Sequence, residues 1–409
     1  MERLLAPHEA AIAAAGVRVV LYSEVEGELD EAVLAQALIR LRACYPLTAG
    51  RITAPEGEEG PLIRVDDAAA GPVISHGVDF DEEINTPLAW DRGPLLRLAV
   101  MREPGRTRVV LTLPRAFVDG MSYLAVHERL WSLYTALATD RPAPAVPVQP
   151  VLGPALDDLL AARFAPQQLL DFVADRERLD VSAPPALLPA LASRDGGPGP
   201  DLRFGITGLE AGTDQRKQLA RRAEEASLTL NSLVSGILLT GLRALFPAQD
   251  GPVQMLCTTA VDMRRRLSPP LPADVLQSAA TTTSIRIPVT DQARPAEVGQ
   301  KLAAQLRADL RSGAAAMELA AFPYMIDQHP PSLVITNVGT IPEPELPDGL
   351  RITNVRLAPL GHVPMIFAVV SQYQGRLAVD LAHSRAWHTD TQINELGGQV
   401  SAIVNRLTT

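Results

Sequence analysis

Cysteine is nearly absent: the 409-residue chain has two, Cys44 and Cys257. They stand far apart among apolar neighbours, which excludes a disulfide framework and a cysteine-rich metal site and leaves reduced thiols in a core. Lysine occurs only at Lys217 and Lys301, with arginine supplying the rest of the positive charge. We read that as the coding bias of a GC-rich genome, without functional meaning. Basic charge is also short. Thirty-seven Lys and Arg against 47 Asp and Glu give a net charge of −10, which speaks against a nucleic-acid partner. No long apolar run exists either. The most apolar stretch, 228–246, is interrupted by Asn231, Ser232, Ser235, Thr240 and Arg243, and reads as a buried helix, not a membrane span. The opening residues Met1 to Glu9 turn polar before a signal-peptide core could form, so a cytoplasmic protein is expected. The sequence has no P-loop, no Gly-x-Gly-x-x-Gly between strand and helix, no His-Glu-x-x-His, no Cys-x-x-Cys and no Gly-x-Ser-x-Gly elbow. The expectation is that neither a metal nor a redox cofactor is used.

What is present is an ordinary globular balance, 47% apolar and 21% charged, in a length that suits two or three domains. Proline is in excess, with 35 residues, against a usual ~5% of a chain. Alternation predicts a strand over 17–25, and Leu34, Leu38 and Leu41 stack on a helix that ends before Pro46. Strands are predicted at 95–101 and 107–113, then a helix over 121–138. A proline-rich tract follows at 141–200, including Pro142, Pro144, Pro147, Pro150, Pro154, Pro184, Pro185, Pro189, Pro198 and Pro200. Such a tract reads as a stiff linker with short helical pieces such as 155–164, because proline fixes φ and lacks an N–H. Beyond it come a strand near 202–206, helices over 214–226 and from Thr229, strands at 255–261 and 279–287, and a helix over 296–312. Strands at 332–337, 366–373 and 375–383 and a final helix over 390–407 complete the chain. Strands and helices without a βαβ rhythm argue for α+β sandwiches, divided as 1–140, linker 141–200 and 201–409.

The information-bearing segment is a strand, Val109-Val110-Leu111-Thr112-Leu113, then Pro114-Arg115-Ala116-Phe117-Val118-Asp119-Gly120, then a helix. It resembles the His-x-x-x-Asp-Gly turn of the chloramphenicol acetyltransferase-like superfamily, which includes peptide condensation domains and polyketide-associated acyltransferases of the phthiocerol dimycocerosyl transferase type. Further segments are similar in order. Leu5-Ala6-Pro7-His8-Glu9 with Val25 to Asp30 looks like the opening strand, and Leu41 to Leu47 like an Arg-His-Pro-Leu helix end. Ser227 to Ala244 looks like the long helix, Val261-Asp262-Met263-Arg264 like Val-Asp-Leu-Arg, and Thr336-Asn337-Val338-Gly339 like Ser-Asn-x-Gly. The resemblance implies an α/β fold of two acyltransferase-like subdomains in a V, with a channel between them. It implies Asp119 paired with Arg264 as a structural pair, and Gly120 as a backbone requirement of the turn. It further implies an acyl or polyketide substrate, free or as a thioester of CoA or of an acyl carrier protein.

The departure is at Arg115. Family members carry a histidine there as general base, whereas a guanidinium has no acceptor and stays protonated. Three roles remain open for Arg115: a salt bridge to an acid, a grip on a substrate carboxylate, enolate or polarised carbonyl, or a bystander role while another base or the substrate amine handles the proton. The matching functions are an acyltransferase with a non-standard site, a repurposed cyclase with Arg115 as electrophilic helper, and a scaffold that docks carrier proteins without catalysis. Phe117, Thr282, Ser284, Asn337 and His362 are candidates to line the channel, His362 also as a substitute base. Thr282 and Ser284 equally suit a strand with a hydrated side, and Asn337 suits a strand-end bend. His127 shares a helical stripe with Leu124, Trp131 and Tyr134 and reads as a core residue. His8, His76, His329, His383 and His388 show no partnering pattern. Arg216, Lys217, Arg221 and Arg222 read as a solvated helix face, with an acidic carrier protein as the alternative partner.

Overall fold

The computed structural model of the chain describes residues 1–54, 60–65, 74–77, 79–143, 152–192, 197–325 and 329–409. Two compact units interleave along it. One comprises Met1–Leu159, Met263–Ala280 and Thr340–Leu360, the other Leu160–Asp262, Thr281–Gly339 and Gly361–Thr409. Contiguous blocks 1–140 and 201–409 therefore differ from the observed units, because two stretches of the second half fold with the first.

The first unit is built on five strands in the order Arg351–Leu360, Arg18–Glu26, Arg106–Pro114, Arg97–Glu103, Ile74–His76. All neighbours are antiparallel except the last pair. The helix Glu31–Cys44 packs against the helix Gly120–Ala138. Asp30 caps its start by accepting the Ala32 and Val33 N–H groups, and the Leu34, Leu38 and Leu41 stripe is fully buried. A small antiparallel sheet joins Glu2–Leu4, Leu62–Arg64 and Arg51–Thr53.

The second unit carries a mixed sheet of six strands, ordered Ala280–Val289, Val253–Asp262, Leu333–Thr340, Phe367–Tyr373, Arg376–Ser384, Phe204–Ala211. Its core joins Leu238, Leu239 and Leu242 of the helix Leu230–Arg243 to Met255, Leu333, Ile393 and Leu396. Thr229 caps that helix through the Ser232 N–H. The helix Pro295–Ser312 crosses it so closely that a Cβ at Gly236 would lie 2.0 Å from the Pro295 carbonyl oxygen, so glycine is required by the approach. Cys257 is buried, Cys44 half-buried, and both are free thiols. No single helix among the described residues is long and apolar enough to cross a membrane.

Among the departures from the sequence expectation, three change the frame of the units. The tract 141–200 contains a 17-residue helix, Pro166–Ser182, and is more than a linker with short pieces. Pro166 sits at its first turn, where the missing N–H costs nothing, and the next proline is Pro184. Pro144, Pro147 and Pro150 lie outside the described residues. Leu5 to Glu9 do not form a strand: Pro7 opens the helix Pro7–Ala14. The strand Arg351–Leu360 was missed because a bulge between Ile352 and Asn354 breaks the alternation, and Pro359 is tolerated on an edge strand.

Candidate active site

The strand Arg106–Pro114 ends in a single 3-10 turn, Arg115–Phe117. Extended Val118 and Asp119 then lead into the helix, of which Gly120 is the first residue. The change of direction is thus made before Gly120. Tyr123 ties the helix back to the strand by donating its hydroxyl proton to the Leu113 carbonyl at 2.7 Å.

Asp119 is the organising group. Its Oδ1 caps the helix by accepting the Ser122 N–H at 2.9 Å and the Ser122 hydroxyl at 3.0 Å. Its Oδ2 accepts the Ala279 N–H at 2.7 Å. Arg264 Nη2 donates to both oxygens, at 2.9 and 3.0 Å, and to the Gln277 carbonyl at 2.7 Å. Arg264 Nη1 reaches the Pro272 carbonyl at 2.9 Å. Both side chains are buried, at 2% and 3% exposure. The expected Asp119–Arg264 ion pair is present; Asp119 both caps the helix through Ser122 and, with Arg264, ties the 114–122 turn to the 272–279 loop. Ser122 was missed; its place three residues after an N-cap Asp is the signal that could have found it.

Arg115 stands on this support. Its backbone N–H donates to the Val17 carbonyl at 2.9 Å. Nη1 donates to the Val118 carbonyl at 2.9 Å and to Ser278 Oγ at 3.0 Å. Among the described residues no carboxylate pairs with Arg115, and its Nη2 and Nε make no hydrogen bond. The salt-bridge role is therefore not the one seen. The side chain is half-buried, one edge fixed and the other open. Phe117 is buried at 2% exposure, in the core beneath the turn.

In two histidines of this unit, His127 and His8, burial holds the imidazole below its ordinary value. His127 is core, as expected: its Nε2 accepts the Trp131 indole N–H at 3.1 Å and meets Ser23 Oγ at 2.7 Å. Burial pushes it down to about 3. His8, for which the sequence shows no partnering pattern, lies in the helix that packs on the Arg115 turn. Burial first, then the Arg115 guanidinium, push it down to about 3.

The remaining candidates belong to the second unit. Ser284 donates through its hydroxyl at 2.7 Å and its backbone N–H at 3.1 Å to the Glu318 carboxylate, and Thr282 reaches the same carboxylate at 3.4 Å. Glu318 is buried and also pairs with Arg176 at 2.9 Å. Thr282 and Ser284 are thus engaged within the protein around a carboxylate the sequence reading missed. Asn337 lies within the strand Leu333–Thr340, donates to Asn231 Oδ1 and accepts the Gly339 N–H, both at 2.7 Å, so its side chain is engaged within this unit. His362 packs on the Phe204 ring, with centroids 4.8 Å apart.

Residues 201–382 match the family model of the phthiocerol/phthiodiolone dimycocerosyl transferase C-terminus. No curated protein matches the chain by sequence. Among solved structures, polyketide synthase associated protein 5 from Mycobacterium tuberculosis superposes with a TM-score of 0.73 at 21% identity, covering 99% of this chain and 98% of that one. The first condensation domain of the CDA synthetase gives 0.76 at 17% identity, over 100% and 96%. Trichothecene 15-O-acetyltransferase from Fusarium sporotrichioides gives 0.76 at 12%, over 100% and 95%. The chain thus shares, over its full length, the fold of these condensation and acyltransferase structures, and its residues 201–382 match the phthiocerol/phthiodiolone dimycocerosyl transferase C-terminal family.

Proposed function

We propose that the chain is an acyl-group-processing enzyme of bacterial natural-product or lipid biosynthesis, of the condensation and polyketide-associated acyltransferase type. Its substrate is an acyl or polyketide chain, presented free or as a thioester of CoA or of a carrier protein. In this reading Arg115 is a fixed cation for an oxygen that gains negative charge, in place of the family's base. The observation that carries it is the half-committed guanidinium: Nη1 held by Val118 and Ser278, Nη2 and Nε open, all on an intact Asp119–Arg264 support. The open edge is a planar fork of donors that fits a carboxylate, an enolate or a tetrahedral oxyanion. Fixing the group beforehand removes the reorganisation that would otherwise accompany charge development. The same fork suits closure of a preformed chain, which requires no CoA or carrier.

The test is a panel of acyl-CoA donors with amine and alcohol acceptors, run on the purified chain and on Arg115→Ala. The reading expects turnover that drops by about 10²–10³-fold in the variant. Binding without turnover in both would instead favour the docking scaffold. Turnover of a linear chain with no thioester present would favour the cyclase.

A further inference from the structure

The helix Pro7–Ala14 was not part of the sequence-derived site, yet it packs on the Arg115–Phe117 turn. Its start is fixed from several sides. Arg3 donates to both Glu9 oxygens, at 2.6 and 2.8 Å, and through Nε to the Gly153 carbonyl at 3.0 Å. Glu9 in turn accepts the Ala6 N–H at 3.0 Å, and Asp157 Oδ1 accepts the His8 N–H at 3.0 Å. The second residue of this anchored helix is His8, half-buried and within electrostatic reach of the Arg115 guanidinium. The helix packed on the Arg115 turn therefore carries an imidazole in its first turn, on a different element from the turn itself.

We propose that His8 is the proton acceptor that works with Arg115, a pairing that rests on the acyl-transfer reading above. The guanidinium fork holds the oxygen that becomes negative, and a ring nitrogen of His8 takes the proton of the attacking nucleophile. As the new bond from nucleophile to acyl carbon forms, the X–H proton passes to the imidazole. The C–S bond then breaks, and the imidazolium returns the proton to the leaving thiolate. Thioester and H–X become acylated X and free thiol, and His8 is regenerated neutral.

The electrostatics give this pairing a built-in order. In the free protein the imidazole is unprotonated but weakly basic, because burial and the neighbouring cation both oppose its charge. The groups around it are Arg115 on the turn, Asp157 whose Oδ1 holds the His8 N–H, Glu9 tied to Arg3, and Asp158 near Asp157. An anionic or polarised oxygen in the Arg115 fork offsets that cation and favours the imidazolium. Binding at Arg115 and protonation of His8 are then linked by one factor in both directions. The base strengthens as the substrate docks.

Ring-nitrogen NMR of the full chain, labelled at its seven histidines and assigned with His8→Gln, tests this with acetate as the probe. In the free protein His8 is expected to stay neutral from about pH 8 down to about pH 5. Saturating acetate is expected to raise its midpoint by about one unit or more, a tenfold coupling. In Arg115→Gln the midpoint rises without acetate, and the acetate dependence disappears. With an acyl-CoA donor, His8→Gln is expected to lose about 10²-fold in turnover. If acetate shifts the Arg115 Nε–H signal but leaves His8 unmoved, the pairing is wrong and the Arg115 reading stands. If acetate moves neither, both are overturned.

Discussion

The two units each bury a carboxylate against an arginine, and the two clusters are put to different uses. Asp119 in the first unit accepts from Arg264, Ser122 and Ala279, and fixes a turn whose next side chain, Arg115, is left with an open edge. Glu318 in the second accepts from Arg176, Ser284 and Thr282, and satisfies the outward Ser284 N–H of an edge strand. Arg264 is 3% exposed, whereas Arg176 is 18% exposed. The first cluster is sealed and supports a guanidinium with one open edge; the second closes a sheet edge. A buried ion pair by itself therefore says little about function. What matters is which neighbouring group it holds in an unsatisfied state.

Removing each carboxylate should separate the two most strongly. Asp119→Ala leaves a sealed Arg264 charge and is expected to cost about 3–5 kcal/mol, read from the urea midpoint. Glu318→Ala leaves an arginine that water can reach, and about 1–2 kcal/mol is expected. Equal losses would erase the distinction. Arg115→Ala should behave in the opposite sense from Asp119→Ala. Its folding stability should change by less than about 1 kcal/mol, while turnover falls by the large factor given above.

A pH dependence sharpens the description of the first unit. Burial pushes the Asp157 carboxyl up from 3.8 to about 6. The native state then holds a proton that the unfolded chain has already released between these values. Stability from this group falls as pH rises through that window and stays low above it. Asp157→Asn keeps an oxygen for the His8 N–H, so it should stabilise by roughly 2–3 kcal/mol at neutral pH and hardly at all below about pH 4. Urea unfolding at the two pH values gives the comparison. The smallest effect is expected from Ser278→Ala, which removes one of the two bonds on Arg115 Nη1. Turnover should fall by about 3–10-fold, equivalent to about 1 kcal/mol, with stability barely changed.

Much of the frame was legible in the sequence because its signals are local. Asp30 before Leu34, Leu38 and Leu41, and Thr229 before the apolar helix, combine a cap with a periodic face. The strand–turn–helix around Arg115, Asp119 and Gly120 was readable for the same reason, and Arg264 came with its own short motif. The losses are non-local. The strand Arg351–Leu360 owes its place to pairing with Arg18–Glu26 and hides its period behind a bulge. Proline density concealed the helix Pro166–Ser182, although the prolines bracket it. His8 and Glu318 carry no pattern among their sequence neighbours, and their meaning comes from Arg115 and Ser284, which only the fold brings near.

The central claim is that a fixed cation has replaced a proton carrier at position 115. Comparing Arg115→His and Arg115→Lys with the unmodified chain on one acyl-CoA donor and its acceptor tests it most directly. Retained partial turnover in Arg115→Lys, with loss in Arg115→His of about 10²-fold, is the predicted result. Turnover in Arg115→His equal to or above that of the unmodified chain would contradict it, because a restored imidazole would then be all that the site requires.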